Sequence, residues 1–124
     1  MAENKEYIRI SDEKGSINIS EEVVAVIAAS ATMEVDGVHS LFFSHGKEPT
    51  NMLSKKALSK GVKLSIDGED VIIDVYIVAS IGHSVSEVGM DIQKAVISTV
   101  EATVGVKVSS VNVNICGVSL KKNK

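Results

Sequence analysis

The sequence predicts an α+β fold, a two-layer sandwich in the order β-α-β-β-β-α-β with two long helices packed on one face of a mixed sheet. Three observations predict it. Two segments carry apolar residues at helical spacing, and each closes on Gly-Val (Gly37-Val38 and Gly105-Val106). Valine- and isoleucine-rich segments beside them alternate with polar residues, the period of a strand. Asp67-Gly68 sits between two such segments, which is a hairpin signal.

Residues 1–14 read as a polar N-terminal arm, in which Tyr7, Ile8 and Ile10 alternate weakly enough to add only an edge strand. The domain proper is expected over 15–120, followed by a basic tail at 121–124. Ile17 and Ile19 alternate with Ser16, Asn18 and Ser20 in a short strand. Ser20 is placed to cap the first helix, with Glu21 and Glu22 at the positive end of its dipole. Val24, Ile27, Ala28, Ala31 and Val35 form its apolar face, and Ala25, Ala29 and Thr32 a second face of small residues. Two such faces predict packing on two sides. Gly37 is read as the stop just past the helix end. Glu34 and Asp36 oppose the dipole there, which solvent exposure or nearby lysines would accommodate.

Val38 to Phe43 reads as a strand. Residues 44–60 form a long polar connection that holds the only proline, Pro49, and four lysines, Lys47, Lys55, Lys56 and Lys60. Met52, Leu53, Ala57 and Leu58 suggest a short helical piece within it. Connections this long tend to carry function. Val62, Leu64 and Ile66 then alternate, and Val71 to Ala79 follows the Asp67-Gly68 turn, with Glu69 and Asp70 able to lengthen it. Asp74 and Tyr76 fall on one face, Val75 and Ile77 on the other. Ser84-Val85-Ser86-Glu87 fits a capping box, and Val85, Val88, Ile92, Val96, Val100 and Val104 make one stripe that ends at Gly105. Val106, Val108, Val111, Val113 and Ile115 supply the last strands, with an irregularity expected at Ser109-Ser110. Strands that flank one helix are expected to run parallel.

The 124 residues fit one domain. Aromatic residues make up 3% and Trp is absent, so the core is aliphatic and few rings are available to stack on a base or sugar. A net charge of −3 disfavours nucleic acid as the main partner, because phosphate binding needs a basic surface. Cys116 stands alone, which excludes an intrachain disulfide and suits a reducing, cytoplasmic compartment. The polar first residues are unlike a signal peptide, and the densest apolar run, Val71 to Ile81, is interrupted by Asp74. Membrane contact is therefore expected to be peripheral or through a partner.

Chemistry is hard to find. Cys116 has no base or positive charge beside it in sequence to activate a thiol. His39, His45 and His83 lack the short paired spacing of zinc ligands. No phosphate-binding glycine loop occurs, and Gly82-His83-Ser84 is explained by the capping box. The glycines provide no GXXG loop of the RNA-binding kind. No catalytic residue, metal or cofactor is expected.

Two segments carry a resemblance. The first is Gly15-Ser16-Ile17-Asn18-Ile19-Ser20-Glu21-Glu22-Val23-Val24-Ala25-Val26-Ile27-Ala28, closing with Glu34-Val35-Asp36-Gly37-Val38. The second runs from Ile81-Gly82-His83-Ser84-Val85-Ser86-Glu87-Val88 through Ile92-Gln93 and Val100-Glu101 to Gly105, then Val111-Asn112-Val113 and Gly117-Val118. Together they resemble the alkaline shock protein family, the small envelope stress response proteins of Gram-positive bacteria. The resemblance spans about residues 15–120. It implies a cytoplasmic protein of cell-envelope homeostasis, without catalytic activity or cofactor. It also implies that some members are held at the membrane by a separate membrane-embedded partner, while others are tied to fatty-acid metabolism.

The expected function is therefore a non-enzymatic scaffold of envelope stress homeostasis that self-associates and binds a membrane-anchored protein. The alternative is a regulatory binding protein linked to fatty-acid metabolism, touching a metabolite, an enzyme or nucleic acid through 44–60. In either case the candidate contacts are Lys47, Lys55, Lys56 and Lys60.

Overall fold

The computed structural model describes residues 7–42, 61–67 and 70–120. The fold is α+β, as the sequence predicts, with both long helices against one sheet. A hairpin opens the chain. Strand β1 (Tyr7–Asp12) lies within the polar arm and pairs antiparallel with β2 (Gly15–Ser20). Ile8, Ile10, Ile17 and Ile19 share its apolar face, because Ile8 opposes Ile19 and Ile10 opposes Ile17. Ile8 is buried in the core, whereas Ile17 near the tip is 61% exposed. On the other face Arg9 Nε donates to Asn18 Oδ1 at 3.0 Å.

Helix α1 (Glu21–Met33) begins where Ser20 Oγ accepts from the Val23 N–H at 3.2 Å. Both expected faces are buried, through Val24, Ala28 and Ala31 on one and Ala25, Ala29 and Thr32 on the other. Thr32 Oγ1 donates to the Ala28 carbonyl at 2.8 Å, which satisfies its buried hydroxyl within the helix. The helix stops earlier than Gly37. Glu34 is the cap, and 34–37 form a turn, so Val35 is buried from outside the helix. Glu34 and Asp36 are exposed.

Strand β3 (Val38–Leu41), β4 (Val62–Asp67), β5 (Asp70–Ser80) and β6 (Ser110–Ser119) make the main sheet. β5 is its centre, pairing antiparallel with β3 and β4 and parallel with β6. A strand has only two edges. β6 spans Ile72 to Ser80 of β5, so β3 and β4 must share the other edge end to end. β4 and β5 stay paired out to Asp67 and Asp70, so only residues 68 and 69 connect them, which removes the longer loop.

Helix α2 (Val85–Val104) joins the parallel pair β5 and β6, a connection that requires a crossover. Ser84 Oγ accepts from the Glu87 N–H at 3.4 Å, and Gly105 caps the end in the left-handed region. Val88, Ile92, Val96 and Val100 are buried in one core with the inward row of β5, Val71, Ile73, Val75, Ile77 and Ala79, and the helix packs beside α1 and β6. Each such side chain contributes about 1.5–3 kcal/mol relative to exposure. The first helix is different. β2 and β3, which flank α1, lie in separate sheets, so the two Gly-Val units are not structural repeats. The irregularity expected at Ser109-Ser110 is a break, since Val106 to Ser109 lie outside any strand, and a second one follows it. Ser110 begins a regular strand, and the register shifts opposite Ile77 and Val78, where Cys116 has no partner residue.

Candidate interaction surface

The lysine-bearing connection is rooted at one residue. The Phe42 N–H donates to the Tyr76 carbonyl at 2.8 Å, and the Tyr76 N–H donates to the Gly61 carbonyl at 2.9 Å. Residues 42 and 61 therefore meet at the same point of β5, where β3 stops and β4 starts. The two strands run the same way along β5, and together they form one edge strand interrupted by 43–60. The return is tight. A Cβ on Gly61 would lie 2.8 Å from Leu41 Cβ, so glycine is what lets the chain come back against its own exit. Lys47, Lys55, Lys56 and Lys60, the expected 52–58 helical piece and His45 lie outside the described residues.

The two edges of the sheet carry different chemistry. The β3–β4 edge holds Lys63 and Asp67, and its register shifts between Val38 and Ser40. Charges and irregularities of this kind keep foreign strands away from an edge. β6 reads SVNVNICGVS, with no charged residue and no proline. Among the described residues nothing pairs with its outer edge.

The end of the sheet where β5 and β6 finish is apolar. The Ile81 N–H donates to the Ser119 carbonyl at 3.0 Å, which places Ile81 beside Val118 and Leu120. Leu120 is 78% exposed, and Ile81, Val85 and Val118 are exposed as well. The sequence reading missed this patch. Its signal was the alternation continuing through Val118 and Leu120 after the core residues had ended.

Among the described residues reactive groups do not converge. Cys116 is a free, exposed cysteine whose thiol lies 3.7 Å from the Asn114 carbonyl. Among the described residues no group of three His, Cys, Asp or Glu side chains is placed to hold a metal ion. The polar groups of the outer sheet face bond one another: Asn112 Nδ2 donates to Asp74 Oδ1 at 2.8 Å, and Ser109 Oγ to Asp70 Oδ1 at 3.0 Å. Among the described residues no helix is long and apolar enough to cross a membrane.

The model of the alkaline shock protein 23 family, described by a cell envelope-related function, matches residues 9–120. The chain belongs to this family. Its relatives span nearly the same length. It is 35% identical to the uncharacterized protein YloU of Bacillus subtilis over 113 residues, which is 90% of this chain and 94% of that protein. It is 38% identical to the uncharacterized protein Spy1535 of Streptococcus pyogenes over 109 residues, covering 87% of this chain and 82% of the other. It is 30% identical to the uncharacterized protein YqhY of Bacillus subtilis, covering 84% and 77%. No solved structure matches. The family match begins at residue 9, within β1.

Proposed function

We propose that this alkaline shock family member is a non-enzymatic scaffold of cell-envelope stress homeostasis that self-associates and binds a membrane-anchored protein partner. The carrying observation is the rooting of the lysine-bearing connection on Tyr76 of the central strand. A fixed stem lets a polar segment present its charges from one place without disturbing the core. The envelope-related family function supports the setting. The exposed apolar end at Ile81, Val118 and Leu120 supports a role in contact, since clustered apolar surface marks interaction sites. Lys47, Lys55, Lys56 and Lys60 are the partner contacts in this reading, and they meet an acidic surface on the partner. The protein sits at the cytoplasmic side of the membrane through that partner.

The test is fractionation of cells that express the chain with Lys47, Lys55, Lys56 and Lys60 all changed to Glu. The wild type is expected to sediment with membranes and to crosslink to one integral membrane protein. The variant is expected to move to the soluble fraction with its thermal unfolding unchanged. A folded variant that still sediments and still crosslinks rules out these lysines as the contact.

A further inference from the structure

We infer that the apolar end of the sheet, together with the lysines that follow it, rests directly on an anionic lipid surface. The inference rests on the membrane setting proposed above and adds to it a contact that the chain makes without its partner.

The shape of that end comes first. Val118 pairs with Ala79 of the inward row of β5, so Val118 faces the helix layer. Ala79 is fully buried there, whereas Val118 is exposed. Val85 opens α2, and Val85, Gly89 and Gln93 fall on one face of it, four residues apart. That face looks toward β6, since Gln93 Nε2 donates to the Val111 carbonyl at 3.0 Å. Yet nothing lies within 4 Å of where a Cβ on Gly89 would stand. Helix and strand therefore part toward the start of α2 and the end of β6. Ile81, Val85, Val118 and Leu120 are left exposed around that opening.

Charge decides the occupant. The chain carries −3 overall, yet residues 102–124 hold four lysines and no acidic residue. Three of them, Lys121, Lys122 and Lys124, come directly after Leu120, the most exposed of these aliphatic residues. The acids of this end stand apart from them. Glu34 and Asp36 precede β3, which lies across β5 from β6. Glu87, two residues on from Val85, leaves the opposite side of α2.

An apolar tip beside a run of lysines fits a bilayer. The interface takes up aliphatic side chains, and anionic headgroups attract the lysines next to them. A protein partner would have to match both features in register, while a bilayer offers both at every point. Each lysine at such a surface is worth about fivefold in partitioning, so three are worth roughly a hundredfold. Stable residence at a membrane takes two such signals, and the anchored partner is the second.

Flotation of the full chain with lipid vesicles tests this. The wild type is expected to float with vesicles of phosphatidylcholine and phosphatidylglycerol, to be released as salt is raised, and to leave vesicles of phosphatidylcholine alone unbound. Lys121→Gln, Lys122→Gln and Lys124→Gln together are expected to weaken binding roughly a hundredfold, and Leu120→Ser about tenfold, with thermal unfolding unchanged. Lys14→Gln, Lys63→Gln and Lys94→Gln together remove the same charge elsewhere and are expected to float as the wild type does. A wild type that fails to float, binding that ignores lipid charge, or equal losses in the two triple variants overturns the lipid contact. So does a dimer that Leu120→Ser abolishes, which gives the patch to a second copy. The partner reading fails separately. A chain that ignores vesicles yet crosslinks to a membrane protein in cells loses only the lipid contact, and one that floats without crosslinking loses only the partner.

Discussion

The two helix-to-strand junctions look alike in sequence and are built differently. Both read Gly-Val, and both glycines have positive φ, 99° at Gly37 and 85° at Gly105. Gly105 is a true helix cap: its N–H donates to the Glu101 carbonyl at 3.0 Å, and nothing lies within 4 Å of where a Cβ would stand. Gly37 caps nothing. It lies beyond the α1 cap, its carbonyl accepts from the Ser80 N–H at 2.8 Å, and its missing Cβ would sit 2.5 Å from Val88 Cγ2. One glycine serves the backbone alone. The other serves the backbone and the packing of α2 together. A dipeptide shared by two sites therefore says little about what each site requires.

The largest separation is expected at Gly37. Gly37→Ala adds a left-handed strain and a collision with Val88, together roughly 2–5 kcal/mol by denaturant unfolding. Gly105→Ala carries the strain without the collision and is expected to cost about 1–2 kcal/mol. Equal losses at the two sites would break the comparison. A double-mutant cycle sharpens it. Val88→Ala is destabilising alone, yet in the Gly37→Ala background part of that loss is expected to return as a coupling of about 0.5–3 kcal/mol, and in the Gly105→Ala background none. The smallest effect is expected from Gly105→Asn, about half a kcal/mol or less, since Asn tolerates this conformation best among residues with a side chain. Gly37→Asn is expected to lose as much as Gly37→Ala, because the collision remains.

The same contrast marks what was legible beforehand. α2 was readable end to end, because Ser84, the stripe from Val88 to Val100 and Gly105 are local signals that agree. The end of α1 was misread, because Gly37 is demanded by a contact with Val88 that is distant in the chain. The break at Ser109-Ser110 was legible, but the further shift at Cys116 was not, since the pairing opposite β5 decides it and pairing is non-local. The single edge strand made of β3 and β4 was read as two strands and a loop, because the residues that join them lie on β5. The candidate lysines rest on composition, and the described residues add only the stem from which they extend. Both exposed surfaces, the β6 edge and the apolar sheet end, were invisible as such. Valine and isoleucine read as core until a neighbour is found to be missing.

The shared docking of Phe42 and Gly61 on Tyr76 makes the fold indifferent to how much chain lies between them. Closing a loop twice as long costs only about 0.6 kcal/mol more, and the anchoring bonds stay the same. Length and wording can thus change at this one seam while the platform beneath keeps its shape. The seam works like a cassette slot, through which one scaffold can be fitted to different tasks.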